Sequence, residues 1–119
     1  MLNDKYKTDL AKRSFDFGIE AIQVCEALPQ KRSAQIVANQ LIRSATSVGA
    51  NIVEARASST RKEFKKFNEI ALRSANESQY WLKVLLKLEL INERSSDKIQ
   101  SELSEICRML ASGIKKLKI

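Results

Sequence analysis

The sequence predicts an all-α protein, an up-and-down antiparallel bundle of four helices, and three observations indicate this fold. Only three glycines and one proline occur in 119 residues, so helix breakers are sparse. Aromatic residues make up 6% of the chain, so the core must consist mainly of the aliphatic side chains that pack helices. Apolar residues recur at spacings of three and four in four successive segments. A chain of this length is expected to form a single domain, residues 1–119.

The first helix is predicted to run from Asp4 or Thr8 to Leu28, and the second to begin at Ser33. Pro29 should stop the first helix because proline lacks an amide donor and disfavours helix in the preceding residue. Ser33 is a residue type that caps helix N-termini. The apolar positions of the first helix are Leu10, Phe17, Ala21, Cys25 and Leu28, flanked by Ile22 and Val24. Those of the second are Val37, Leu41, Ala45, Val48, Ile52 and Ala55, with Ile36 beside them.

The third and fourth helices have serine and threonine start signals. Thr60 followed three residues later by Glu63 fits a capping box, and Ser59 is the alternative cap. Ser95 or Ser96 should cap the fourth helix. The apolar positions of the third helix are Phe64, Phe67, Ala71, Ser74 or Ala75, Ser78, Leu82, Leu85 and Leu88. Those of the fourth are Ile99, Leu103, Ile106, Leu110, Gly113 or Ile114, and Leu117. Short turns between such helices give the up-down-up-down arrangement.

Small residues interrupt the apolar faces of the second and third helices. The segment "SATSVGANIVEARA" is rich in Ser, Ala and Gly, and the middle of the third helix has small residues at Ala71, Ser74, Ala75 and Ser78. Glycine costs about 1 kcal/mol of helix propensity, so its presence at position 49 needs a reason. We expect the two helices to touch closely at their middles through Gly49 and Ala75.

Polar residues lie beside the same apolar faces, at Asn51, Glu54 and Glu77. A buried carboxylate must find hydrogen bonds or a cation, and Arg43 and Arg73 are the candidate partners. The favoured interpretation is a structural polar network that fixes the register of the helices. A ligand or metal site and a contact between subunits are the alternatives.

Positive charge is concentrated around the start of the third helix. The chain has a net charge of +7, and Arg56, Arg61, Lys62, Lys65 and Lys66 lie within eleven positions that contain one acid, Glu63. The up-down order would bring Lys5, Lys7 and the C-terminal lysines 115, 116 and 118 to the same end of the bundle. This end is either simply solvated or binds phosphates.

Several kinds of chemistry are excluded or unsupported by the sequence. The chain has no histidine, which removes Ser–His and Cys–His nucleophiles and His-ligated metals. It has no glycine-rich phosphate loop, no CxxC pair and no paired carboxylates. We therefore predict no enzyme activity, catalytic residue, cofactor or metal. The sequence shows no signal peptide or membrane span, so a cytoplasmic protein without membrane contact is expected.

Two stretches, "RSATSVGANIVEA" and "STRKEFKKFNEIALRSANESQYWL", resemble the four-helix-bundle family of 23S rRNA intervening-sequence proteins. Ala55 departs from the resemblance, since the family often has glycine there. The resemblance rests on Arg43, Ala45, Ser47, Asn51, Ile52, Glu54, Glu63, Phe64, Phe67, Ala71, Ser74 and Glu77. It implies a bundle that assembles into a ring, a homopentamer. It also implies similarity to the accessory variability determinant protein of diversity-generating retroelements, a basic bundle that works with a reverse transcriptase and nucleic acid.

The first functional hypothesis is a non-enzymatic ring-forming bundle that binds RNA or DNA through the basic cluster of Arg56, Arg61, Lys62, Lys65 and Lys66. Such residues contact phosphates with little base selectivity. The alternative is a structural or adaptor protein whose basic surface binds an acidic protein partner.

Overall fold

The computed structural model describes residues 4–117, with side chains described from Asp9 onward, and it consists of four helices. They are α1 (Asp4–Glu26), α2 (Arg32–Ala57), α3 (Arg61–Lys87) and α4 (Glu93–Lys115). No strand occurs in this part of the chain. None of its helices is long and apolar enough to cross a membrane. The all-α prediction is confirmed.

Contacts between neighbouring helices show that each pair is antiparallel. Between α1 and α2, Gly18 lies against Ala45 and Gly49 against Ser14. Between α2 and α3, Ser44 meets Ser78 and Ser47 meets Ser74, so positions rise in one helix as they fall in the other. The α3–α4 pair follows the same rule, with Gln79 near Gln100 and Asn76 near Cys107. So does the α1–α4 pair, with Arg13 on Glu102 and Glu20 near Lys98. The order is therefore up-down-up-down, as predicted.

The predicted apolar positions form the core. The fully or nearly fully buried ones are Leu10, Phe17, Ala21, Cys25, Val37, Leu41, Ala45, Val48, Ile52, Ala55, Ala71, Ala75, Leu82, Leu85, Ile99, Leu103, Ile106 and Leu110. The edges of the predicted stripes differ from the structure. Leu28, Phe64, Phe67 and Leu117 are only half-buried, and Ile36 and Leu88 are exposed. Leu88 is exposed because it follows the last residue of α3.

Two of the three predicted N-caps are wrong. Lys31, in an extended conformation and without a side-chain cap, precedes α2 in place of Ser33. The Lys31 amide donates to Pro29 O at 2.8 Å and closes a turn, so α2 begins at Arg32, earlier than predicted. Asn92 caps α4 by accepting a hydrogen bond from the Ser95 amide at 2.8 Å. Ser95 therefore supplies the capped amide and is not the cap itself.

The C-terminus of α3 contains a glutamate in the left-handed conformation, Glu89 with φ 60°. The Leu90 amide bonds to Leu85 O and the Glu89 amide to Leu86 O, both at 2.9 Å, which is the Schellman pattern. That position usually holds glycine, because a Cβ in the left-handed region costs about 1–2 kcal/mol.

Gly49 packs against α1 and not against α3, which corrects the prediction for this residue. A Cβ on Gly49 would lie 3.6 Å from the backbone of Ser14 and Phe15, and one on Gly18 would lie 3.7 Å from Ala45 O. The two glycines thus bring α1 and α2 together. The close contact predicted between α2 and α3 does exist, and four serines with buried or half-buried side chains make it: Ser44, Ser47, Ser74 and Ser78.

Candidate nucleic-acid interface

A three-residue connection holds the predicted basic residues together at one end of the bundle. α2 ends at Ala57, with the Ser58 amide bonded to Ala55 O at 3.2 Å. α3 begins after Thr60, whose Oγ1 accepts a hydrogen bond from the Glu63 amide at 3.1 Å. This confirms the predicted cap at Thr60. The last turn of α2 and the start of α3 are therefore adjacent, and we call the five cations there the basic end: Arg56, Arg61, Lys62, Lys65 and Lys66.

The charges of the basic end are accessible and unpaired. Lys65 is half-buried and the other four side chains are exposed. Within the described residues, no carboxylate lies within 4.0 Å of any of the five charged groups. Glu63, the acid in their midst, has its carboxylate turned to the cap, where Oε1 accepts from the Ser59 amide at 3.2 Å and from Ser59 Oγ at 3.3 Å.

The helix dipole strengthens the positive field at the basic end. Arg61 and Lys62 occupy the first turn of α3, where the macrodipole is itself positive. A cation in that turn costs about 0.3–1 kcal/mol of stability, whereas an anion is favoured there by a similar amount. The two cations therefore destabilise the isolated helix slightly, whereas a bound phosphate is attracted both by them and by the helix dipole.

Further cations lie at the same end of the bundle. α4 ends at Lys115, and Lys116 follows it; both side chains are exposed. Because the helices alternate in direction, the end of α4 lies at the end of the bundle where α3 begins. The predicted contributions of the Lys5 and Lys7 side chains and of Lys118 lie outside the described residues.

A polar network does occur between α2 and α3, and serines form most of it. Asn51 Nδ2 donates to Ser47 O at 2.8 Å and to Ser47 Oγ at 2.9 Å. Ser47 Oγ lies 2.8 Å from Ser74 Oγ, and Ser78 Oγ donates to Ser74 O at 2.9 Å. These bonds fix the register of the two helices.

Of the predicted members of that network, the structure brings only Asn51 into it. Arg43, Glu54 and Arg73 are exposed, and their side chains make no hydrogen bond or ion pair to a described residue. Glu77 is exposed and accepts a hydrogen bond from Trp81 Nε1 at 2.9 Å. The sequence-based prediction for these serines concerns only their small size. Their hydroxyls lie at equivalent heights on two facing helices, and this pairing is the sequence feature that indicates the network.

The two cysteine thiols of the chain are buried or half-buried. Cys25 and Cys107 are free, on separate helices, and burial raises the pKa of Cys25 to about 11, so its thiol is a weak nucleophile at neutral pH. No group of three or more metal-ligating side chains occurs among the described residues. Arg13 binds Glu102 in bidentate fashion at 2.8 and 2.9 Å across α1 and α4, and this bond raises the pKa of Arg13.

Fold and surface together define an antiparallel four-helix bundle with an exposed, unneutralised cluster of cations at one end. The chain belongs to the family described as "23S rRNA-intervening sequence protein", whose family model matches residues 6–112. The resemblance seen in the sequence is thus confirmed at the level of the family.

One solved structure similar to this chain is a protein of unknown function from the S23 ribosomal protein family of Bacteroides thetaiotaomicron. The two share 32% sequence identity and a TM-score of 0.88, over 93% of this chain and 99% of the other. No curated protein matches the sequence.

Proposed function

We propose that this protein is a non-enzymatic, ring-forming homo-oligomer, a pentamer, that binds nucleic acid in the cytoplasm by contacting phosphates through the basic end. The observation that supports the proposal is the set of unpaired cations around the first turn of α3. No carboxylate of a described residue pairs with these cations, and a phosphate backbone supplies many anions at regular spacing.

Self-association is supported by apolar side chains that the single chain leaves exposed on α1 and α2. Phe15 is 65% exposed and Val53 is 60% exposed. The backbone of Phe15 lies beside Gly49, and Val53 follows Gly49 by one turn of α2, so both occupy the outer edge of the α1–α2 contact. In a ring, several copies of the basic end would act on one polymer, which raises affinity without any new contact.

Binding is tested by fluorescence anisotropy with labelled RNA and DNA over a range of salt concentrations. We expect affinity to fall steeply with salt, and the variant with Lys62→Glu, Lys65→Glu and Lys66→Glu to lose most of it. A matched control reverses Lys31, Arg32 and Lys98, three exposed cations elsewhere on the bundle. A salt-independent affinity, or equal affinity of both variants and the wild type, would refute phosphate contact through the basic end; a wild type that binds neither RNA nor DNA would refute nucleic-acid binding.

Assembly is tested by light scattering at micromolar concentration. The wild type should give the mass of an oligomer, and Phe15→Glu with Val53→Glu should shift it toward the monomer while circular dichroism stays helical. A strictly monomeric wild type contradicts the ring. If a pull-down retains a partner protein after nuclease treatment and the chain binds no nucleic acid, the adaptor function is supported in place of nucleic-acid binding.

A further inference from the structure

A line of eight exposed residues runs along the whole of α3 on the side opposite its buried positions. The spacing alternates between four and three, which keeps the line on one face of the helix. We call it the α3 basic face: Lys62, Lys66, Glu69, Arg73, Asn76, Tyr80, Lys83 and Lys87. Five positive members and one negative member give a net charge of +4. From Lys62 to Lys87 the face extends over about 38 Å.

The cations of the α3 basic face are not held in ion pairs. No ion pair within 4.0 Å joins any of them to an acid among the described residues. The exposed sides of the terminal helices differ, since Lys12 pairs with Asp16 at 2.7 Å on α1 and Arg108 pairs with Glu105 on α4. An ordinary solvated face has such pairs of opposite charge, whereas the cations of the α3 basic face have none among the described residues.

An aromatic side chain interrupts the row of charges. Tyr80 is 59% exposed, and its ring meets that of Trp81 edge to face, with centroids 4.9 Å apart and planes at 75°. Trp81 is half-buried against the core, and its Nε1 donates to Glu77 at 2.9 Å. The Tyr80 ring is therefore braced from one side and open to solvent on the other. Exposed aromatic rings within a basic groove or track are what unpaired bases stack on.

We propose that the α3 basic face is a track for single-stranded nucleic acid, with phosphates on its cations and one base stacked on Tyr80. The inference rests on the proposed function and extends it, because Lys62 and Lys66 belong both to the basic end and to this face. Contact would then continue from the basic end along α3 to Lys87. A single strand is specified because the bases of a duplex are already stacked on one another and cannot reach the tyrosine.

The stacking contact is tested with Tyr80→Ala and its conservative counterpart Tyr80→Phe, by anisotropy on oligo-uridine, oligo-deoxythymidine and a duplex of equal length. Stacking of one base is worth roughly a 5- to 150-fold change in affinity. We expect Tyr80→Ala to lose this amount on both single strands, with an unchanged salt dependence and unchanged duplex affinity. Tyr80→Phe should bind like the wild type. Equal affinity of Tyr80→Ala and the wild type for single strands would overturn the stacking contact.

The phosphate contacts are tested with a variant that has Arg73→Gln, Lys83→Gln and Lys87→Gln and leaves the basic end intact. For a single strand, the slope of log K against log salt should become shallower by about 2 when three phosphate contacts are lost. The control, Lys31→Gln with Arg32→Gln and Lys98→Gln, removes the same charge from other faces and should keep the wild-type slope. Equal slopes for the two variants would overturn the track.

The two proposals fail in different ways. If the basic-end variant loses binding while the Tyr80 and Arg73–Lys83–Lys87 variants keep it, the track is wrong and the proposed function stands. If the wild type binds no RNA or DNA of any form, or binds only an acidic protein, both are wrong. Thermal melting of each variant verifies that the helices remain folded.

Discussion

Ser44 Oγ and Ser78 Oγ lie 2.8 Å apart inside the contact between α2 and α3. One hydroxyl donates to the other, and the accepting one donates to the backbone of its own helix, Ser44 to Leu41 O at 3.2 Å or Ser78 to Ser74 O at 2.9 Å. Two hydroxyls so close leave no room for a larger side chain at either position. Small size and hydrogen bonding thus act together in bringing these helices into contact.

Enlarging Ser78 should separate α2 from α3. Ser78 is fully buried, so Ser78→Leu should lower the free energy of unfolding by about 1–3 kcal/mol through overpacking. Ser78→Ala loses only the hydroxyl contacts and should cost about 1 kcal/mol. Urea denaturation measures both, with Ser101→Leu on the exposed side of α4 as the control. An unfolding free energy for Ser78→Leu equal to that of the wild type would show that the contact is looser than described.

Gly49 offers a contrast between two substitutions. A Cβ would sit at ordinary contact distance, 3.6 Å from the backbone of Ser14, so Gly49→Ala should fit. Alanine should stabilise the protein by up to about 1 kcal/mol through helix propensity. Gly49→Leu should destabilise it, because the rest of the side chain has to displace α1. Loss of stability in Gly49→Ala, measured by thermal melting, would mean that α1 and α2 lie closer together.

Ser14 has a buried hydroxyl that makes no hydrogen bond in the described part of the chain. An unsatisfied buried donor costs about 1–3 kcal/mol. Ser14→Ala removes it and needs no additional space, and should raise the free energy of unfolding by about 1 kcal/mol or more in urea titrations. Ser112→Ala, at an exposed position of α4, controls for the gain in helix propensity alone. A Ser14→Ala protein less stable than the wild type would mean that the hydroxyl has a partner.

Glu89→Gly should stabilise the end of α3. Glycine adopts φ 60° without the Cβ penalty of about 1–2 kcal/mol. Part of that gain is offset because glycine has more freedom in the unfolded chain, so a net gain of about 1 kcal/mol is expected in the melting free energy. Glu89→Ala removes the charge and keeps the Cβ, and should show no comparable gain. Equal stability of the two variants would contradict the strained cap.

Stability should decline at alkaline pH because of Cys25. Its folded pKa of about 11 lies above the ordinary value of 9.0, since burial disfavours the thiolate. Between these pH values the unfolded chain releases a proton that the folded chain retains, so the free energy of unfolding falls as pH rises. The decline should be smaller in Cys25→Ala, as measured by urea titrations at pH 8 and pH 10. Parallel declines in the two proteins would show that Cys25 does not contribute.

The fold could be predicted because periodicity reports burial directly. Positions such as Phe17, Leu41, Leu82 and Leu103 lie in the core where the spacing of apolar residues put them. The helix starts were harder to predict. The turn after Pro29 decides whether α2 begins after Lys31 or after Ser33, and the residue types alone do not specify that turn. The helix that packs against Gly49 could not be predicted either, because a small residue indicates that some helix approaches closely and does not indicate which one.

The candidate interface could be predicted only in part. The cluster around Arg61 is contiguous in sequence, so its charge was visible before the fold. The α3 basic face is spread over 26 positions and becomes a surface only when the bounds of α3 and its exposed side are known. For the same reason Glu54 was placed beside the core, whereas the rotation of α2 puts it in solvent.

The bond between Arg13 and Glu102 joins residues 89 positions apart, across α1 and α4, the two helices with the sparsest contact in the bundle. The α2–α3 hairpin, in contrast, is local in sequence and has the most extensive contact. Loop closure is least costly for near neighbours, so the central hairpin should form first during folding and the outer helices should meet last. Amide protons along the α1–α4 contact should therefore exchange with solvent faster than those along the α2–α3 contact. The α1–α4 contact is then the place where the native bundle first opens.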